Sequence, residues 1–296
     1  MNKYTISSVK HATTVINGIS DYSLPSGVQQ LLISGSGDID PGFVAIGKIN
    51  PQFTFTTSQI KAALAGLGGI AGITIADSNF LFWLQKVTES VTRSGSVHDK
   101  VAVIQGLLVP QTLTATDGGL ATISYLVIPT SADGVISPFD LTASQTLDAG
   151  QVAAAQAYTL GDISLNGATL DGPKSVTVNF GLAVDISGGK LYPTDVAIMK
   201  RNPTITISCM DIDETFGAAG WGLVGQAQDT SDSVINFDDM LEGGIRGTTP
   251  VTVTIDEGNM HFNNVQGADG STLGVDITLT PTFDGTAAIM LLGGIT

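Results

Sequence analysis

The sequence predicts a mainly β protein of two tandem β-sandwich or open-barrel domains, each flanked by one α-helix and related by internal duplication. The first observation is a repeat: VAIGKINPQFTFTTSQI at 44–60 returns as VAIMKRNPTITISCMDI at 196–212. The second is alternation of apolar and polar residues in short segments bounded by Pro or Asp-Gly. The third is one short helical pattern in each repeat. A repeat of this length decides the fold prediction.

The repeat extends along the chain at the same spacing, which predicts two units with a linker between them. Further pairs at this spacing are Val101/Val253, Gly106/Gly258, Asp117-Gly118/Asp269-Gly270 and Pro129-Thr130/Pro281-Thr282. Near the start, Asn17-Gly18 is matched with Asn166-Gly167 across a shorter spacing, explained by a loop deletion. We therefore predict copy 1 at 1–141, a small, polar, Ala-rich linker or short helix at 142–157, and copy 2 at 158–296.

The strands are predicted from alternation. Residues 52–57 and 204–208 alternate bulky apolar residues with Thr, Ser or Gln, and Pro51 and Pro203 precede them, where a missing N–H is tolerated. Asp117-Gly118-Gly119 and Asp269-Gly270 are predicted hairpin turns, because Asp-Gly tolerates positive φ. Further predicted strands are 121–128, 175–187, 252–255 and 273–281.

One helix is predicted in each unit, directly after the repeated strand. In TSQIKAALAGLG, Thr57 or Ser58 serves as the N-cap, apolar residues from Ile60 onward have helical spacing, and Gly68-Gly69 ends the helix. In CMDIDETFGAAG, Ile212 and Phe216 are four residues apart, and a Gly follows.

No residue pattern predicts catalysis, so we expect no enzyme activity, no catalytic residue, no cofactor and no metal. GLGGIA at 66–71 ends a predicted helix, whereas a dinucleotide loop must open one. The pairs Asp38/Asp40 and Asp211/Asp213 lack the ligand ladder of a calcium loop, and a turn and a helix N-terminus explain them. The three histidines, His11, His98 and His261, have no ligand-like spacing.

Charge and hydropathy narrow the partner classes. The net charge is −15, with −3 on residues 1–148 and −12 on 149–296, which disfavours tight binding of nucleic acid. The mean hydropathy of +0.29 is explained either by apolar subunit contacts or by a β-rich composition. No segment reaches the length of a membrane-spanning helix, and no secretory signal opens the chain. Cys209 is the only cysteine, so no intrachain disulfide forms, which fits assembly in a reducing cytoplasm.

The repeated unit, with its NPQFTFTTSQIKAAL strand running into one helix, resembles the tail tube proteins of long-tailed bacteriophages and the related baseplate hub domains. The resemblance covers 44–67 and 196–216 most clearly and the rest by strand order. It implies a virion structural protein in which three two-domain chains form a pseudo-hexameric ring. The rings stack into an acidic tube that DNA passes without specific binding, next to other tail proteins and without a membrane. The alternative is a virion decoration protein or an adhesive, receptor-binding β-sandwich protein.

Residues 80–87, FLFWLQKV, are apolar on both strand faces. Such a strand lies either in the centre of a core or against a neighbouring subunit; we favour the neighbour, with Phe80, Phe82 and Trp83 as the subunit contact. The matching segment 233–240 is more acidic. Loops at 74–100 and 226–250 are therefore expected to contact the next ring, and deleting 86–98 should leave rings that no longer stack.

Overall fold

The fold is described from a computed structural model of the whole chain, and it consists of short antiparallel strands with one described α-helix. The residues that it describes are 3–37, 39–40, 42–87, 98–147, 156–170, 172–209, 228–229, 232–241, 246–266, 274–283 and 290–295. The elements of the first half are β1 Lys3–His11, β2 Thr14–Ile16, β3 Ile19–Ser23, β4 Val28–Ile33, β5 Phe43–Ile49, β6 Phe53–Thr57, α1 Ile60–Gly66, a 3₁₀ turn Gly69–Ala71, β7 Ile73–Ile75, β8 Phe80–Val87, β9 His98–Val103, β10 Gln105–Thr116, β11 Thr122–Thr130 and β12 Phe139–Gln145. Those of the second half are β13 Ala157–Leu165, β14 Ala168–Leu170, β15 Pro173–Asn179, β16 Leu182–Ser187, β17 Asp195–Arg201, β18 Thr204–Cys209, β19 Gln228–Asp229, β20 Ser233–Met240, β21 Val251–Ile255, β22 Gly258–Gln266, β23 Gly274–Pro281 and β24 Leu291–Gly293.

The fold is mainly β, as the alternation predicts, and each half is a pair of antiparallel layers. In the first half, a sheet of order β12-β9-β8-β1-β2 faces the strands β7-β10-β11-β6-β3. In the second half, a sheet of order β24-β21-β20-β13-β14 faces β19-β22-β23-β18-β15. Each half adds a two-stranded hairpin, β4–β5 or β16–β17, that leaves the layered body.

The pairing order of the first half returns, strand for strand, in the second half. Strand bulges return at equivalent places as well: β10 skips one residue between Pro110 and Thr112, and β22 skips one between Phe262 and Asn264. A duplicated origin stays a prediction, but the two halves have equivalent strands, which can be compared position by position.

The equivalence near the N-terminus differs from the sequence alignment. In the β1–β2 hairpin Val9 pairs with Ile16, and in the β13–β14 hairpin Ile163 pairs with Leu170. The turn at 12–13 therefore corresponds to Asn166-Gly167, and Gly18 corresponds to Gly172, five residues beyond the predicted match. Short turns share a need for positive φ, and that need produced a false match between two unrelated Asn-Gly pairs.

The layers of the first half are joined by an aromatic core. Phe53 of β6 meets Phe82 of β8 edge to face, with ring centroids 4.7 Å apart. Phe55 stacks on Tyr125 of β11 at 5.4 Å. All four rings are buried, and α1 adds Ile60, Ala63 and Leu64 to the same core. Aromatic pairs in such geometry add to the stabilisation from burial alone.

Helix α1 lies where the sequence predicts it but begins one or two residues later. Its N-cap is Gln59 rather than Thr57 or Ser58. The hydroxyl of Thr57 accepts a hydrogen bond from the Gln59 N–H at 3.1 Å and donates to the Asn17 carbonyl, so it anchors the loop before the helix. Gly68, at φ +85°, follows the end of the helix as predicted. The predicted second helix lies outside the described residues.

The predicted strand 175–187 is two strands, β15 and β16, separated by Gly181 at φ +59°. A Cβ at this position would overlap the carbonyl of Asn202. Gly27, at φ +63°, holds the same place between β3 and β4 against the carbonyl of Asn50. Both glycines let the chain leave the sheet and enter a hairpin.

Candidate assembly surfaces

The two halves are joined by one uninterrupted sheet. Strand β15 of the second half pairs with β10 of the first, in a register that sets Val178 opposite Leu113 and Thr177 opposite Thr114. The paired strands complete a ten-stranded sheet that includes strands from both halves. Val176 and Val178 are fully buried in this junction. At its ends, Phe180 N–H donates to the Gln111 carbonyl, and Asp117 N–H donates to that of Lys174.

A second contact between the halves is made by the β16–β17 hairpin. The N–H groups of Leu191 and Tyr192, in its tip, both donate to the Gly134 carbonyl, at 2.8 and 3.0 Å. The loop that presents Gly134 is fixed by Asp133, whose carboxylate accepts the N–H groups of Val135 and Ile136. These backbone donors lower the pKa of Asp133 below its ordinary value. The tip of the hairpin is therefore held by a preformed loop.

The body of the same hairpin covers an apolar face. Leu107, Val109 and Ile128 are buried although they are not part of the main core, and by register they lie on the opposite side of the sheet from it. Strand β17 contacts β10 and β11 at this place. The Ile198 side chain of β17 lies beside Gly72, next to β10. The second half therefore places an apolar hairpin on an apolar seat of the first half.

In the first half, the strand edge that is equivalent to the β15 edge at the internal junction is exposed. Strand β3, the equivalent of β15, pairs with β6 on one side only within the described residues. Its Tyr22 is 36% exposed, and the adjoining Leu24 is 42% exposed. The positions that match them in β15 are Val176 and Val178. The side chains on the edge of β3 are therefore exposed, whereas the equivalent side chains of β15 are buried at the internal junction.

An apolar pocket of about 410 Å³ opens beside this free edge. It lies at the base of the β4–β5 hairpin, and its lining includes Leu24, Val28, Phe53 and Phe139. The residue of the second half that matches the lining residue Ser26 is Phe180, which is completely buried. A small side chain therefore leaves space in the first half where the second half places an aromatic ring.

The outer face of the ten-stranded sheet carries short polar side chains from both halves. Cross-strand hydroxyl pairs join Thr112 to Ser124 at 2.8 Å and Thr114 to Thr122 at 3.0 Å. The register places on this face Asp21, Ser23, Thr54, Thr56, Thr112, Thr114, Thr116, Thr122, Ser124, Ser175, Thr177, Asn179, Thr204, Thr206, Ser208, Asp276 and Thr278. Leu126 is an apolar exception, and Leu107, Val109 and Ile128 form an apolar patch on the same face, under the β16–β17 hairpin. None of these positions is a Lys or Arg, and the carboxylates are Asp21 and Asp276, the latter hydrogen-bonded to Ser208.

Arg246 forms ion pairs across the internal junction. Its guanidinium lies 3.0 Å from Asp238 of the second half and 3.6 Å from Asp117 of the first. These side chains are partly or largely exposed, so solvent screens the attraction. The pair of contacts links the halves weakly, while the strand pairing carries the junction.

The predicted subunit-contact residues Phe80, Phe82 and Trp83 are buried within the chain itself. Strand β8 is central in its sheet, between β1 and β9. Phe80 and Phe82 pack against β6 in the core, so the core alternative describes them, and Trp83 is only 2% exposed. Residues 88–97 of one predicted stacking loop lie outside the described residues, as do 226–227, 230–231 and 242–245 of the other.

The side chains considered for metal binding are not brought together. His11 is hydrogen-bonded through Nδ1 to the Gly66 carbonyl at 3.1 Å, His98 is buried in β9, and His261 is exposed on β22. In the ranges that the structure describes, no group of three or more His, Cys, Asp or Glu is arranged to hold a metal. Asp38, Asp211 and Asp213 lie outside those ranges.

The titration of the buried tyrosines is explained by burial. Burial raises the pKa of Tyr125, whose hydroxyl has no hydrogen-bond partner among the described residues. Burial also raises the pKa of Tyr158, and the negative charge of Asp239 raises it further. Both side chains belong to the buried core, which explains them as packing residues.

Comparison with protein-family models and with curated proteins finds no match to this chain. Within the described part of the chain, no helix has both the length and the apolar character needed to cross a membrane.

Sequence reasoning missed the two hairpins and the free edge. The hairpin β4–β5 has an available signal: VQQLLI and FVAIGKI are apolar runs on either side of a Gly- and Asp-rich segment. The signal for an exposed hairpin is absent, because a buried strand has the same composition.

Proposed function

We propose that this protein is a structural subunit of a phage tail tube, in which rings of three chains stack around a channel for DNA. The observation that carries the proposal is the ten-stranded sheet, because the part of its outer face that the β16–β17 hairpin leaves open is polar, apart from Leu126, and continues across both halves. A wall of this kind is what a channel needs, since adjoining chains can extend it.

The chemistry of that face suits passage of DNA without binding. Hydroxyl and amide groups form only weak, exchangeable contacts with phosphate, and tight binding of DNA depends on Lys and Arg. The register positions of this face carry none, while Asp21 and Asp276 add negative charge that repels phosphate. The lumen in this proposal is rich in hydroxyl groups, with carboxylates placed sparsely along it.

The architecture of the chain supports a ring. A contact between unlike surfaces, repeated with a constant rotation, closes into a ring when the rotation is a whole fraction of a turn. The internal junction is such a contact between the two halves, and its counterpart edges, on β3 and β22, have no further strand neighbour in the part of the chain that the structure describes. Three chains, each with two equivalent halves, would then give a ring of threefold symmetry with sixfold features.

Negative-stain electron microscopy of the purified protein tests the proposal. We expect rings or tubes with a central channel, and end-on class averages with sixfold features modulated by a threefold. A monodisperse monomer at high concentration would contradict the proposal and favour the decoration or adhesive alternative, with binding to capsids or glycans as the next assay.

The lining is tested by placing cations in the channel. In assembled particles, Thr206→Lys with Thr114→Lys should turn a non-binding tube into one that retains a short DNA duplex at low salt. The matched control carries the same number of lysines on the exposed, uncharged hairpin positions Ala197 and Met199, so both variants add the same charge. Equal DNA retention by both variants would show that this face does not line the channel.

A further inference from the structure

Strands β3 and β15 are equivalent edges. Both begin with the same bulge against the neighbouring strand, between Ile19 and Asp21 in β3 and between Pro173 and Ser175 in β15. Both are followed by a positive-φ glycine that accepts a hydrogen bond from an Asn N–H, Asn50 to Gly27 at 3.0 Å and Asn202 to Gly181 at 2.9 Å. A strand that can pair with β15 can therefore meet the same backbone in β3.

Strands β10 and β22 are equivalent acceptors. The first part of each is paired with a short strand, Gly106 with Ile75 of β7 and Gly258 with Asp229 of β19. Beyond its bulge, β10 pairs with β15 from Thr112 to Thr116. The matching part of β22 begins at Asn264, and on that edge it has no strand neighbour within the described residues.

Unpaired edges of this kind are costly unless they are covered. A sheet edge presents unpaired backbone N–H and C=O groups, and natural proteins shield such edges with charge, proline or a partner. Strand β3 carries Asp21 and is followed by Pro25, yet it also exposes Tyr22 and continues into the exposed Leu24. An apolar side chain at an open edge, beside an apolar pocket, is the pattern of an interface.

We propose that β3 of one chain pairs antiparallel with β22 of a second copy of this chain, in the register that β15 uses with β10. Val178 opposite Leu113 then becomes Leu24 opposite Val265, and Thr177 opposite Thr114 becomes Ser23 opposite Gln266. The second copy also closes the apolar pocket beside Leu24. This inference rests on the proposed ring for its closure but not on the tube, the DNA or the phage.

Cysteine cross-linking tests the register. Residues directly opposite in an antiparallel pair have Cα atoms about 4.5–5.5 Å apart, within the range that a disulfide spans. The variant Ser23→Cys, Gln266→Cys should form, on mild oxidation, disulfide-linked dimers and trimers of the full chain. The native Cys209 is buried. Variants that keep Cys209 and carry only Ser23→Cys or only Gln266→Cys control for its contribution.

Two matched pairs control the geometry. Thr114→Cys, Thr177→Cys repeats the same register inside one chain and should give an intrachain disulfide without covalent oligomers. Ser23→Cys, Asn264→Cys is displaced by two residues along β22 and should cross-link far less. Cross-linking as strong for the displaced pair as for the opposite pair would overturn the register.

The pairing itself is tested with Leu24→Asp. Leu24 is half exposed in the single chain, so the variant should fold with an unchanged circular dichroism spectrum yet sediment as a monomer. Association of this variant equal to that of the wild type would overturn the proposal.

The two proposals fail separately. Cross-linked trimers that never form tubes would support the pairing and contradict the tail-tube function. Tubes without the Ser23–Gln266 cross-link would contradict the pairing alone.

Discussion

The hairpins β16–β17 and β4–β5 are built alike but covered differently. In β16–β17 the inward positions, such as Val184 and Ile198, are half-buried, whereas the outward positions include the charged, exposed Asp185 and Asp195. In β4–β5 both faces are apolar and exposed: Leu32 and Ile46 lie on one, Ile33 and Phe43 on the other. A hairpin with one polar face buries its apolar surface when its other face packs against the sheet. A hairpin with two apolar faces has to be covered on both faces to bury its apolar surface.

The seats of the hairpins differ as well. The first half offers the apolar Leu107, Val109 and Ile128 to β16–β17. The equivalent positions of the second half are polar: Asn259, His261 and Thr280. We therefore expect a contact between chains to repeat the strand pairing of the internal junction. We do not expect it to repeat the packing of the hairpin, because the second half has polar residues at the positions that would receive β4–β5. In the proposed tube, β4–β5 is thus available to contact another ring.

The largest expected loss of stability comes from a substitution at the internal junction, and the matching substitution on the free edge is its control. Val178→Asp buries a carboxylate at a fully covered position, so the free energy of unfolding should fall by roughly 3 kcal/mol or more. Leu24→Asp, its match on the free edge, should change the stability of the monomer by less than about 0.5 kcal/mol. Urea titration followed by circular dichroism measures both; equal losses would contradict the equivalence of a covered and an open edge.

The hairpins should show the same contrast with a smaller effect. Ile198→Asp removes an apolar contact with the seat and should cost about 2 kcal/mol of unfolding free energy. Ile46→Asp on the exposed hairpin should leave the monomer unchanged within about 0.5 kcal/mol and should reduce assembly instead. Urea titration at low protein concentration, paired with light scattering at high concentration, separates folding from association. A hairpin variant that assembles normally would remove β4–β5 from the contacts.

Gly27 and Gly181 are positions at which the two halves have the same local geometry, so we expect equal effects of substitution. Gly27→Ala and Gly181→Ala each place a Cβ against an Asn carbonyl at positive φ, so each should lower stability by about 1–2 kcal/mol. Thermal unfolding of the two variants should give similar decreases in Tm. A decrease in Tm for Gly181→Ala alone would mean that the backbone around Gly27, at the base of β4–β5, shifts to accommodate the added Cβ.

The smallest effect is expected at the ion pairs. Arg246→Ala removes the contacts with Asp238 and Asp117 across the junction, yet exposed pairs contribute only about 0–1 kcal/mol. The loss should disappear in high salt. A large, salt-independent loss would mean that charge rather than strand pairing joins the halves.

Local patterns were enough to predict much of the fold. Alternation predicts β6 and β18 within one or two residues, and Asp117-Gly118 marks a real hairpin turn. Alternation cannot predict whether an apolar strand such as FLFWLQKV is covered by its own chain or by another, since both environments need the same residues. The free edge at Tyr22 becomes visible only when its buried equivalent is known, and the pairing of β10 with β15 supplies that knowledge.

The central claim is that the contact between chains repeats the contact within the chain. An electron cryomicroscopy map of the assembled particle, at a resolution that separates strands about 4.8 Å apart, tests it most directly. The account predicts a sheet that continues across every chain boundary, with β3 of one chain beside β22 of the next. A map in which these two edges face solvent, or in which chains meet through other surfaces, would contradict it.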